Sequence, residues 1–186
     1  MTEIELAEDS VFGIPAPRKI GACRRQRAFY TGATHAGLGV TVGYRAPGVE
    51  LTLHVYDLGL EDIQDGPLSE HCKRHYLQCI TDVFDTGKAQ GRQVSLLGRQ
   101  LRSTDASGPE FLRAAFVLED KAHGPRLSVL LLTCRAGRFV RLRITSMLAP
   151  DAAHRAIEDA CDGYSALLWP HRSSTRTTPI NRQEPA

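Results

Sequence analysis

Four side chains at helical spacing, His71, Cys72, His75 and Cys79, carry the densest chemistry in this sequence. Separations of three, four and seven residues bring side chains together on a helix, and thiolate and imidazole are both zinc ligands. At 100° per residue, however, Cys72 and Cys79 share an arc of roughly 120° with Leu68, Tyr76, Ile80 and Val83, where a free cysteine serves as a small buried hydrophobe. A closed zinc site draws on two separated ligand pairs, and no second pair stands at matching spacing. Cys72, His75 and Cys79 therefore have two readings, as metal ligands or as core cysteines bordered by histidines. No cofactor is expected.

Positive charge forms a second constellation. Arg135, Arg138, Arg141 and Arg143, with Arg126 near them, gather around one predicted hairpin, and Arg24, Arg25 and Arg27 form a shorter cluster. Arg141 and Arg143, two apart on a strand, share a face and offer a site for an acidic partner surface or a phosphate. The alternative is a solvated strand face that discourages edge-to-edge association. Aromatic residues are not interleaved with these arginines as stacking on nucleic acid requires, so nucleic acid is not an expected partner.

Nucleophilic catalysis requires an activated Ser or Cys with a base and an orienting group, and no GxSxG elbow is present. A hydrolase-type site would have to assemble in space from a His/Cys or His/Asp set. The nearest local candidate is His54 beside Thr41, followed by Asp57 and Asp62, where the aspartates alternatively bond the loop that holds them. The glycine-rich stretch 32–39 lacks the Lys-Ser/Thr of a phosphate loop and runs into a strand, so it reads as a flexible connection.

The elements that position these residues are clearest in two hairpins. In the stretch 39–59, Pro47-Gly48 predicts a type II turn with Arg45 opposite Glu50. Val40, Val42 and Tyr44 then face Val55, Leu53 and Leu51, while Thr41 and Gly43 meet His54 and Thr52 on a wetter face. In the stretch 126–146, Ala136-Gly137 as a two-residue loop sets Val129, Leu131 and Thr133 against Ile144, Leu142 and Val140. Leu130, Leu132 and Cys134 then oppose Arg143, Arg141 and Phe139, and those leucines require cover on that side as well.

Around the hairpins, strands are predicted at 11–14, 26–31, 94–102 and 111–119. A helix is predicted over 68–84, with Pro67 at its first turn and Asp85-Thr86-Gly87 as its stop. A second helix follows Pro150 and presents Ala153, Ile157, Cys161, Tyr164, Leu167 and Leu168. The order is four strands, helix, four strands, helix. It implies an α+β class, a single antiparallel sheet of about six to eight strands with two main helices packed on it.

The 186 residues, 42% of them hydrophobic, provide for one core. We expect a flexible N-terminus over 1–10, a single domain over 11–171 and a disordered tail over 172–186, which is rich in Ser, Thr, Arg and Pro. A net charge of +2 is too mild to argue for nucleic acid or membrane. No apolar run approaches the roughly 18 residues of a membrane span. Five cysteines without paired motifs, together with an acidic N-terminus, lead to an expectation of reduced thiols, no signal peptide and a cytoplasmic setting.

This element order, with GVTVGYRAPGVELTLHVYDLG before the first helix and FVRLRIT before the last, resembles the PsbP-like and DcrB-like α/β/α sandwich families over residues 11–169. The resemblance implies a bacterial-type accessory or protein-binding role. A non-enzymatic protein-interaction domain is therefore the leading expectation, with a small hydrolase and a metal-binding protein as alternatives.

Overall fold

A computed structural model describes residues 2–6, 8–32, 36–103, 110–120 and 124–170. The strands are β1 (Thr2–Ile4), β2 (Ser10–Val11), β3 (Ile14–Pro15), β4 (Lys19–Ile20), β5 (Cys23–Tyr30), β6 (Val40–Ala46) and β7 (Val49–Tyr56). After helix α1 (Glu70–Ala89) come β8 (Gln93–Arg102), β9 (Phe111–Asp120), β10 (Gly124–Arg135) and β11 (Arg138–Ser146), then helix α2 (Pro150–Leu168). Among the described residues one antiparallel sheet runs β1-β5-β6-β7-β11-β10-β9-β8, and β4 adds to the edge of β5 to make nine strands.

The expected α+β architecture holds, and both hairpin registers are those that the turn residues dictate. Arg45 pairs with Glu50 across Pro47-Gly48, and Arg135 pairs with Arg138 across Ala136-Gly137. Ala136 and Gly137 both take positive φ, 51° and 69°, as a primed two-residue turn demands. The predicted strand at 11–14 is instead a small hairpin, β2 paired with β3, because Phe12 and Gly13 both turn to positive φ. Within the stretch 1–10, expected as a flexible lead, Thr2–Ile4 pairs with β5. The tail 172–186 lies outside the described residues.

The sheet is buried on both faces, and one helix covers each. Val129, Leu131, Leu142 and Ile144 join Leu53 and Val55 under Ile157, Cys161, Tyr164 and Leu168 of α2. Their neighbours Leu130, Leu132, Cys134 and Phe139 join Tyr56 and Phe116 under Cys72, Tyr76, Cys79 and Ile80 of α1. Adjacent residues of one strand thus enter different cores, as pleating requires.

Helix α1 departs from its predicted limits, whereas α2 starts at Pro150 and ends at Leu168. Ser69 caps α1, its Oγ accepting the Cys72 N–H at 3.2 Å, so Pro67 stands outside the first turn and Leu68 is 49% exposed. The helix also runs through Gly87, which serves close packing: a Cβ there would lie 2.2 Å from Val94 Cγ2. Its chain reversal falls at Gly91, φ 66°. On α2, Leu167 points outward while Ala160 and Ser165 are buried. At the far edge, the register of β8 against β9 shifts between Leu96 and Gly98, a β-bulge.

If both faces carry a core, truncation of neighbouring residues should be costly at each. Leu131→Ala and Leu132→Ala are each expected to destabilise by about 2–5 kcal/mol. Urea denaturation checks this; a near-neutral effect at either site would show that its face is not a packed core.

Candidate functional site

The α1 face of the central sheet changes character along its strands. α1 packs over β8, β9 and β10. Beside it, β7 and β11 present Glu50, Thr52 and His54 and, paired opposite them, Thr145, Arg143 and Arg141. These residues form the floor of a cleft of about 720 Å³, extended on β10 by Arg126 and Leu130 and walled by Cys79, Asp82, Val83 and Thr86 of α1.

Strand alternation divides the four candidate arginines. Arg135 and Arg138 share the face of Val129 and Leu142, on the α2 side, and each has a local partner. Arg135 meets Asp65 at 3.3 Å with its guanidinium 4.6 Å above the Trp169 ring; Arg138 meets Asp57 at 2.5 Å and lies 4.1 Å above Phe12. The four arginines that gather around the hairpin thus divide between the two faces of the sheet. Arg141 and Arg143 alone face the cleft. The short cluster disperses likewise: Arg25 donates to the Ala16 carbonyl, and Arg27 approaches Glu3 at 3.8 Å.

Arg141 and Arg143 are held differently. Arg143 Nε donates to Ser128 Oγ at 2.6 Å, and Ser128 Oγ lies 2.9 Å from Thr145 Oγ1. Arg141 Nη1 lies 3.6 Å from Cys79 Sγ, with the guanidinium 5.5 Å from the Tyr56 ring centre. Among the described residues neither arginine has a carboxylate within ion-pair distance. Burial and the charge of Arg141 lower Arg143 to about 10. Glu50, at the rim, is held by Arg45 at 2.6 Å.

The predicted metal residues split between two partners. His75 Nε2 lies 2.6 Å from Tyr56 OH and 3.4 Å from Cys79 Sγ, while Cys72 interacts with Cys134, a contact that with burial pushes its thiol pKa up. Among the described residues no group of three or more His, Cys, Asp or Glu side chains is arranged to hold a metal ion. Cys72 and Cys79 pack in the α1 core, and all five cysteines are free and buried.

Elsewhere, His54 Nδ1 meets Thr41 Oγ1 at 2.9 Å, while Asp57 accepts the Gly59 N–H at 2.9 Å and so bonds its own loop. Asp62 takes positive φ in that loop. Of the glycine-rich stretch 32–39, residues 33–35 lie outside the described residues. Tyr56 and Ser128, which contact Arg141 and Arg143, and the cleft-lining Thr145 were not singled out from the sequence. Extending the two hairpin registers by one or two pairs would have placed them on the face of His54, Arg141 and Arg143.

Compared with family models, curated proteins and solved structures, the chain matches none. Among the described residues no helix is long and apolar enough to cross a membrane.

Burial, reinforced by Arg141, lowers His54 to about 3 and His75 to about 4. An unfolded histidine titrates near pH 6.5, so below that pH the unfolded chain takes up protons that the folded chain refuses. Stability is complete above about pH 6.5 and falls with pH to about 4, by about 1 kcal/mol per pH unit for each histidine. Denaturation at pH 7 and pH 5 should show this loss, reduced in His54→Gln. An equal loss in that variant would show that His54 is not held neutral.

Proposed function

We propose that this chain is a non-enzymatic accessory domain that binds another protein, taking an acidic segment of that partner into the cleft between α1 and the sheet. One observation carries the reading: Arg141 and Arg143 stand side by side on the cleft floor, with no carboxylate within ion-pair distance among the described residues. Guanidinium groups removed from bulk water gain from an ionised partner, and a carboxylate meets them through charge-assisted hydrogen bonds. The proposed setting is a bacterial cytoplasm, where free thiols stay reduced. The proposed kinship with PsbP-like and DcrB-like α/β/α sandwiches rests on element order and the two hairpins, and it favours an accessory role over catalysis.

A specific contact favours a second reading, a small thiol hydrolase. Cys79 lines the cleft with His75 Nε2 at 3.4 Å. The geometry supports this reading less well: Tyr56 and Cys79 share the same ring nitrogen, and Cys79 is only 1% exposed. A relay holds the base through its second nitrogen while the first serves the nucleophile.

Affinity purification of the tagged chain from its native cells decides between these readings. The proposal expects a stoichiometric partner, lost with Arg141→Glu/Arg143→Glu and retained with Cys79→Ser. Absence of any partner, together with turnover in a hydrolase screen that Cys79→Ser abolishes, would favour the enzyme.

A further inference from the structure

We infer that the group received between Arg141 and Arg143 is a phosphate monoester dianion rather than a carboxylate. This rests on the reading of the cleft as the contact site for an acidic partner, and it specifies the chemistry of that contact.

Charge favours the dianion. Arg141 and Arg143 project from the same face of β11, and residues two apart on a strand lie about 7 Å apart. A single phosphate can bridge such a pair. A carboxylate carries one negative charge against two guanidiniums on a half-buried floor, to which Asp82 adds only from beyond ion-pair distance. A phosphate monoester carries about −1.5 to −2 at neutral pH and compensates both.

The supply of donors favours it as well. Arg143 commits only Nε, to Ser128, and Arg141 directs only Nη1 toward Cys79 Sγ. The remaining guanidinium N–H groups share the floor with the Thr52 hydroxyl, while Thr145 Oγ1 is engaged with Ser128. These donors exceed what two carboxylate oxygens accept, whereas a monoester offers three terminal oxygens.

The opposite wall limits where the anion can sit. Asp82 and Asp85 of α1 line the cleft, with Gln78 Nε2 donating to Asp82 at 2.8 Å. Their charge repels an anion from the helix side and confines it to the sheet side, over β7 and β11. Removing a wall carboxylate and removing a floor arginine should therefore change affinity in opposite directions.

Fluorescence anisotropy with the full chain tests this, using three versions of one short, otherwise uncharged peptide that carries phosphoserine, glutamate or serine at its centre. The phosphoserine peptide is expected to bind at least tenfold more tightly than the glutamate peptide, and the serine peptide not measurably. Arg143→Gln should weaken phosphoserine binding at least tenfold, while Asp82→Asn, a surface change that spares the floor, should tighten it severalfold. Inorganic phosphate should compete; if it binds as tightly as the phosphopeptide, the monoester chemistry stands and its source is a small phosphate ester. Equal binding of the glutamate and phosphoserine peptides would overturn the inference and leave the acidic-partner reading intact. Failure of both peptides and of inorganic phosphate to bind would overturn the two together.

Discussion

The fold depends on one constraint, the burial of β10 and β11 on both faces. An antiparallel hairpin ordinarily gives one side to water. Here Leu130 and Leu132 on one side and Val129 and Leu131 on the other are all withdrawn from solvent. Neither side can be left open without exposing aliphatic surface, so each recruits a helix, and the chain provides them in sequence order, α1 to one face and α2 to the other. The cleft is a by-product of that arrangement. A single helix cannot span the full width of the sheet, and where α1 ends its coverage, across β7 and β11, the face changes from leucine and phenylalanine to threonine, histidine and arginine.

Much of this was legible in the sequence wherever a turn fixed a register. Once Pro47-Gly48 and Ala136-Gly137 are read as turns, the period of two assigns every residue of four strands to a face, including Arg141 and Arg143 to a shared side. The same arithmetic places Arg135 and Arg138 on the other side, but counting charge around the hairpin groups all four together. Proximity in sequence obscured what alternation separates. The limits of α1 were harder to read, because a glycine mid-helix and a glycine at a stop look alike. Gly87 is distinguished only by the Val94 side chain pressed against it from another element.

The candidate site shows the same division. Helical spacing correctly gathers Cys72, Tyr76, Cys79 and Ile80 on one face, but ligand sets and cores use the same periodicity. Only the neighbours separate the two cases. Cys72 turns to Cys134 on β10, and His75 turns to Tyr56 on β7; both partners are more than ten residues away in sequence and invisible to a local pattern. Tyr56, Phe139 and His75 form an aromatic group, with His75 and Phe139 ring centres 4.5 Å apart, that fills the space beside Arg141. The histidine thus contributes to packing next to the cleft, and its neutrality follows from that company.

The outer edge of the sheet carries a consequence of its own. β8 is ten residues long and largely exposed, including Leu97 and Leu101, and nothing among the described residues pairs beyond it. An edge of that length can template the addition of a foreign strand, the elementary step of sheet-driven aggregation. The bulge between Leu96 and Gly98 interrupts the straight run of hydrogen-bonding groups, and the exposed Arg99 sets positive charge on the strand beyond it. The irregularity in β8 therefore works as a colloidal safeguard: it limits association of the folded chain with its own copies while leaving the interior untouched.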